Sequence, residues 1–169
     1  RTGASVFTYT HDVVIRYLRI RPGKQGTKEF DSMGVVNSHN IIFDHCSFSW
    51  GNDEVCSLVV SSGTRLDRVT LQWCIISEGL DWYDHSMGFA VDSKDGAVTL
   101  HHNLFAHNGT RNPRVGAWPG HSIDADVRNN VFYNWRDWCG YGGTPKEGTI
   151  NINYVGNYLK AGPSTKKKT

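Results

Sequence analysis

Residues 98–105 read Val98-Thr99-Leu100-His101-His102-Asn103-Leu104-Phe105, and residues 125–132 read Ala125-Asp126-Val127-Arg128-Asn129-Asn130-Val131-Phe132. In both, apolar residues hold the first, third and last positions, and an asparagine stands two residues before the last. Ile152, Tyr154, Asn157 and Leu159 repeat the pattern downstream. Upstream, the same register picks out Val69, Leu71, Cys74 and Ile76, then Ile41, Phe43, Cys46 and Phe48, then Val13, Ile15, Leu18 and Ile20. The anchor column Leu18, Cys46, Cys74, Asn103, Asn130, Asn157 recurs at intervals of 28, 28, 29, 27 and 27 residues. Short runs of β-branched and aromatic residues at even spacing read as strands. The Gly, Asn, Asp and Ser residues between them read as turns. One such strand cannot bury its apolar face alone, whereas stacking equivalent strands about 4.8 Å apart makes a continuous core. Six repeats in phase therefore predict an all-β solenoid, a parallel β-helix of about six coils, each 27–29 residues long. A β-sandwich does not hold its columns in phase over such a period.

The anchor column carries its own prediction. Asn103, Asn130 and Asn157 fall at one site in successive coils, where stacked amides can bond along the axis and tie down the turn. Cys46 and Cys74 precede them in the column and are expected to be buried free thiols, since parallel side-chain directions make a disulfide torsion awkward. None of the four cysteines forms a C-x-x-C pair, which argues against zinc and redox roles.

The 169 residues, with a net charge of +2, suit a single β-helix domain over 1–169, expected to be part of a longer chain. The chain opens in mid-pattern, so a missing leader says nothing about its location. Residues 160–169, with the basic run Lys166-Lys167-Lys168, are expected to form a flexible tail. The charge is too balanced to argue for nucleic acid, and no apolar run approaches the roughly 20 residues of a membrane helix.

A second set of positions keeps the same phase. Glu29-Phe30-Asp31, Asp53-Glu54, Asp84-His85 and Arg111-Asn112-Pro113-Arg114 each stand ahead of a short apolar run. The steps from Asp31 to Glu54, His85 and Arg111 are 23, 31 and 26 residues, each close to one coil. One side of the solenoid is thus predicted to carry carboxylates, then a histidine, then arginines. Clustered carboxylates without thiolates suit a hard cation such as Ca2+, with Asp31, Glu29, Asp53 and Glu54 as candidate ligands. Arginines match the carboxylates of an acidic sugar chain, because guanidinium and carboxylate pair as two parallel forks.

Three segments carry a family resemblance. Asn40-Ile41-Ile42-Phe43-Asp44-His45 resembles the Asn-Val-Trp-Ile-Asp-His motif of the pectate lyases, His101-His102-Asn103 resembles their His-His-Asn, and Arg111-Asn112-Pro113-Arg114 resembles the start of their Arg-x-Pro-x-x-Arg. The resemblance runs from about Asp12 to Leu159 in matching order. It implies that the β-helix is right-handed, and it implies calcium-assisted β-elimination on polygalacturonate, leaving an unsaturated uronide. It places Arg111 at the position of the family's catalytic base. An arginine stays protonated to above about pH 12, so Arg111 acts either as a transiently neutral base or as a stabiliser of enolate-like charge. Asp31 matches the second Asp of the family's Asp-x-Asp, Glu29 replaces the first, and Asp53 or Glu54 stands where a further acid is expected. Ser57 takes a later acidic position, His85 is the nearest candidate for a substrate-contacting lysine and with Arg111 a candidate catalytic residue, as hydrogen-bond donor or proton acceptor, and Arg114 is a candidate substrate ligand. Gly116 replaces the last Arg of the motif.

Asp44, His45, His101 and His102 lie in the strand columns and are read as structural. Trp118, Trp135 and Trp138 stack on sugars or cover the solenoid. Asn108-Gly109-Thr110 fits a glycosylation acceptor, a pattern common by chance. The resulting expectation is a secreted or periplasmic lyase of acidic polysaccharide, monomeric at full length, with neither nucleic acid nor membrane as partner. Two alternatives remain: a non-catalytic glycan-binding β-helix, and a related uronate or pectin lyase with altered substrate. No paired acid and base marks a polygalacturonase.

Overall fold

The computed structural model describes residues 5–23, 28–61, 65–144 and 146–166. Among these there is no helix; hence none is long and apolar enough to cross a membrane. Three parallel sheets of six strands each run the length of the molecule. Sheet 1 stacks Ser5–Thr8, Met33–Val36, Glu54–Val59, Met87–Ser93, Arg114–Ala117 and Tyr141–Gly142. Sheet 2 stacks His11–Arg16, His39–Asp44, Asp67–Gln72, Gly96–His101, Ser122–Arg128 and Thr149–Val155. Sheet 3 stacks Arg19–Ile20, Ser47–Ser49, Ile75–Ser77, Leu104–Ala106, Val131–Tyr133 and Tyr158–Lys160. The chain visits the sheets in rotation and completes about five turns through six rungs, where the repeat predicts about six coils.

The register follows the columns of the repeat. Ile41, Val69 and Val98 are paired neighbours, as are Phe43, Leu71 and Leu100, and Phe48, Ile76 and Phe105. Every one of these side chains is at most 2% exposed. Each such burial contributes roughly 1.5–3 kcal/mol. Phe105 and Phe132 stack with ring centroids 5.0 Å apart. At the last rung the same columns stand open: Ile152, Tyr154 and Leu159 are 49%, 43% and 46% exposed, because no described coil lies over them.

The anchor column forms a hydrogen-bonded ladder. The Cys74, Asn103 and Asn130 N–H groups donate to the side-chain oxygens of Asn103, Asn130 and Asn157 at 2.8, 2.9 and 2.9 Å. The Asn103 and Asn130 amides donate back to the Leu71 and Leu100 carbonyls. Cys46 and Cys74 are free and buried, and the Cys46 N–H donates to Cys74 Sγ at 3.4 Å.

Corners differ in how much they vary. Sheet 2 passes to sheet 3 through two residues in every rung (17–18, 45–46, 73–74, 102–103, 129–130 and 156–157). The first residue of each pair (Tyr17, His45, Trp73, His102, Asn129, Gly156) has φ between 53° and 66°. That left-handed residue turns the chain sharply enough for the next to point inward. Sheet 3 passes to sheet 1 through 12, 4, 9, 7 and 7 residues (21–32, 50–53, 78–86, 107–113 and 134–140). Residues 160–166 of the predicted tail include Lys160, at the end of sheet 3, and Lys166, whose N–H donates to the Arg136 carbonyl at 2.8 Å. Residues 167–169 of that tail lie outside the described residues.

Candidate functional site

The variable turns into sheet 1 carry Glu29, Asp31, Asp53, His85 and Arg111, and Glu54 opens the strand that follows the shortest of them. In-phase turns stack on one side of the solenoid, which brings these residues together from four coils.

Asp31, Asp53 and Glu54 each offer a carboxylate oxygen, and these atoms lie within 4.8 Å of one another. Two contacts fix Asp31: the Glu54 N–H donates to its Oδ1 at 3.1 Å, and the Ser57 hydroxyl donates to its Oδ2. Ser57 therefore serves the acidic cluster by orienting Asp31. Arg111 Nη1 donates to Glu54 Oε1 across 57 residues of sequence. The arginine and the acids predicted at opposite ends of the face thus meet directly. His85 Nδ1 lies 3.3 Å from Asp53 Oδ1 and 3.8 Å from Glu29 Oε1. Glu29 stands outside the group of three and faces His85 instead.

Burial in company decides the charge state of these acids. Removal from water pushes the Glu54 carboxyl up to about 8, and the negative charges of Asp31 and Asp53 add to the rise; Arg111 opposes it without cancelling it. Burial also raises Asp31, against the hydrogen bonds from Ser57 and the Glu54 backbone. The site holds more negative charge than its one arginine neutralises. All its donor atoms are carboxylate oxygens, which is the set a hard divalent cation takes. The Arg111 Nε is buried with no hydrogen-bond partner among the described residues.

Further along the same face lies Arg114, whose neighbours across sheet 1 are Ala90 and Tyr141. Its Nη1 contacts Asp92 Oδ2 at 2.8 Å and its Nη2 contacts Glu147 Oε1 at 2.6 Å. A Cβ at Gly116 would lie 3.0 Å from Arg114 Nη1 and 2.8 Å from Glu147 Oε2. Glycine at 116 therefore makes the space in which the Arg114 guanidinium rests. Sequence reasoning finds Arg114 but misses Asp92 and Glu147. The pairing of Asp92 with Gly116, two residues beyond Arg114 on the same strand face, is the signal that points to Asp92. Glu147 comes from an irregular turn and leaves no periodic signal.

The residues read as structural sit elsewhere. Asp44 accepts from Arg16 Nε at 2.6 Å and Gln72 Nε2 at 3.1 Å. His45, Trp73 and His102 stack along one corner, with His102 4.4 Å from Trp73 between ring centroids. Asn108 is buried, its oxygen accepting from the Gly79 N–H and its amide donating to the Ile76 carbonyl and Asn112. In the folded chain that amide is closed to glycosylation.

No family model matches the chain. It is 40% identical over 159 residues to a protein of Aspergillus flavus named probable pectate lyase C, covering 94% of this chain and 35% of that protein. The protein of that name from Aspergillus oryzae matches to the same extent. A pectate trisaccharide-lyase of Thermotoga sp. is 30% identical over 154 residues, covering 77% of this chain and 40% of the relative. The chain spans about a third of the length of the fungal relatives it matches. The resemblance seen in three short motifs thus extends through nearly the whole sequence.

Proposed function

We propose that this chain is the catalytic stretch of a polysaccharide lyase that cleaves pectate by calcium-assisted β-elimination. The observation that carries the reading is the meeting of Asp31, Asp53 and Glu54 with Arg111, whose Nε has no partner. The similarity to pectate lyases over 94% of the chain supports it.

Asp31, Asp53 and Glu54 would hold Ca2+, with Glu29 beside His85 at the margin. A bound calcium would withdraw charge from a substrate carboxylate and acidify the neighbouring carbon-bound proton. Arg111 meets the substrate at that carbon. Either its guanidinium stabilises the enolate-like oxygen while His85 takes the proton, or Arg111 in a transient neutral form takes the proton itself, the role the family resemblance implies. The carbon–hydrogen electrons form the new double bond, the glycosidic oxygen leaves with its pair, and an unsaturated uronide remains. His85 contacts substrate from the Asp53 side as hydrogen-bond donor or proton acceptor. Arg114, resting over Gly116, supplies the guanidinium that the motif otherwise places at 116. In this reading the protein acts outside the cell or in the periplasm and is monomeric at full length.

The test is the ultraviolet absorbance of the conjugated uronide, followed on polygalacturonate with the full-length protein. A rise with calcium that stops with chelator supports the proposal. Binding of polygalacturonate without any rise, in folded protein, replaces it with the glycan-binding reading.

A further inference from the structure

The segment from Gly79 to Ser86 leaves the solenoid, folds on itself and returns, and His85 lies at its return. Its internal support is local: Trp82 and Ser86 N–H groups donate to the Leu80 carbonyl, and the His85 N–H donates to the Trp82 carbonyl. Tyr83, Asp84 and Ser86 all have positive φ, at 48°, 65° and 38°. The segment's ends are tied as well, the Leu80 N–H donating to the Gly51 carbonyl at 2.8 Å and the Ser86 hydroxyl to the Gly79 carbonyl at 2.8 Å, so what is left to hold is the tip from Asp81 to His85.

Arg136, two coils further on, holds it from outside. Its Nη1 contacts Asp81 Oδ2 at 2.9 Å, its Nη2 contacts Asp84 Oδ1 at 2.7 Å, and Nη2 also donates to the Asp84 carbonyl at 3.3 Å, next to His85. Nε contacts Asp137 at 2.7 Å, which fixes the plane of the guanidinium. Gly109 makes the approach possible. A Cβ there would lie 3.3 Å from Arg136 Cζ and 3.2 Å from Ser86 Cβ. The Gly109 carbonyl accepts from the Arg136 and Asp137 N–H groups, and its own N–H donates to the Ser86 carbonyl and to Ser86 Oγ. Gly109 thus joins the arginine's backbone to the end of the turn that carries His85.

We propose that Arg136 is a positioning residue: a strap that holds the Leu80–Ser86 turn, and through it His85, against the acidic site. Exposed ion pairs add little to global stability, and Asp81 and Asp84 are 57% and 86% exposed at their side chains. The strap's effect is therefore on geometry. Misplacing a contact by about 1 Å can cost roughly 10²-fold in rate. The kinetic part of this inference rests on the lyase reading; the structural part does not.

The experiment compares the full-length protein with Arg136→Gln and Arg136→Lys in two assays. One is initial rates on polygalacturonate with calcium; the other is amide exchange read peptide by peptide. For Arg136→Gln the expected result is a fall in kcat of about tenfold with KM within about twofold. Faster exchange should be confined to residues 79–86. Arg136→Lys, which keeps the charge but loses the fork, should fall between. If Arg136→Gln does not fold, Asp81→Asn with Asp84→Asn removes the two ion pairs from the other side and leaves only the bond to the Asp84 carbonyl. An unchanged kcat, exchange that rises equally through the sheets, or a Lys variant no better than Gln would overturn the strap. If the unaltered protein has no lyase activity, the functional proposal fails and the exchange assay alone judges the strap.

Discussion

Glu54 couples fold to pH and, in the calcium-assisted reading, to the cation as well. Its folded-state pKa of about 8, against an ordinary 4.5, means that the folded chain keeps a proton which the unfolded chain has lost between those values. Folding then takes up protons, so stability declines as pH rises through that window. Without calcium, the thermal midpoint is expected to fall between about pH 4.5 and about 8. Saturating calcium should remove the slope, because an oxygen ligand must be deprotonated to bind. A midpoint that stays flat with chelator present would place Glu54 among ordinary carboxylates. Arg111 gives the second prediction at this scale. Arg111→Ala should lower kcat by about 10²–10³-fold or more, read by uronide absorbance; a loss below tenfold would move the chemistry to another residue. Asp31, Asp53, Glu54 and Arg111 are legible in the sequence because the coil period stacks their turns. Asp92, Glu147 and Arg136 are not. Their roles depend on side chains that meet across turns of unequal length, where no period carries the reading.

At the scale of the element, the asparagine ladder is the feature that was legible and that stability should depend on most. Asn130 is 1% exposed, accepts from the Asn103 N–H and donates to the Leu100 carbonyl. Asn130→Ala leaves the Asn103 N–H buried without its partner, at a cost of about 1–3 kcal/mol, and removes the amide's bonds to the Leu100 carbonyl and Asn157, worth about 1 kcal/mol more. A denaturant titration should show a loss of about 2–4 kcal/mol. His45→Ala, at an exposed corner, should stay within about 1 kcal/mol. Equal losses in the two variants would mean that the ladder is no more than a turn decoration. Strands were readable because their side chains alternate with a period of two; the turns from sheet 3 to sheet 1 were readable in place but not in shape. The positive φ of Tyr83, Asp84, Ser86 and Arg111 answers to packing, not to residue type.

Across the whole molecule, each coil touches the coils on either side and little else, so stability is close to a sum of rungs and interfaces. Amide exchange should be slowest in the central strands Glu54–Val59 and Gly96–His101 and fastest in the first and last rungs. Uniform protection from end to end would instead mean one cooperative block. The last rung also presents Ile152, Tyr154 and Leu159 beside Thr149–Val155, whose outer edge no described strand pairs. Such an edge invites pairing with another chain. Sedimentation of the 169-residue chain by itself should therefore show association, reduced by Ile152→Lys with Tyr154→Lys.

The two-residue corner between sheets 2 and 3 is identical in all six rungs, whereas the segments that bear the acids, His85 and Arg111 range from 4 to 12 residues. Lengthening one of those segments slips no strand, because the added residues loop out between strands whose register is set by their own buried side chains. The frame and the chemistry can therefore change at different rates. One can be inherited intact while the other is rewritten a loop at a time, which makes this scaffold a mount on which new specificities can be grafted.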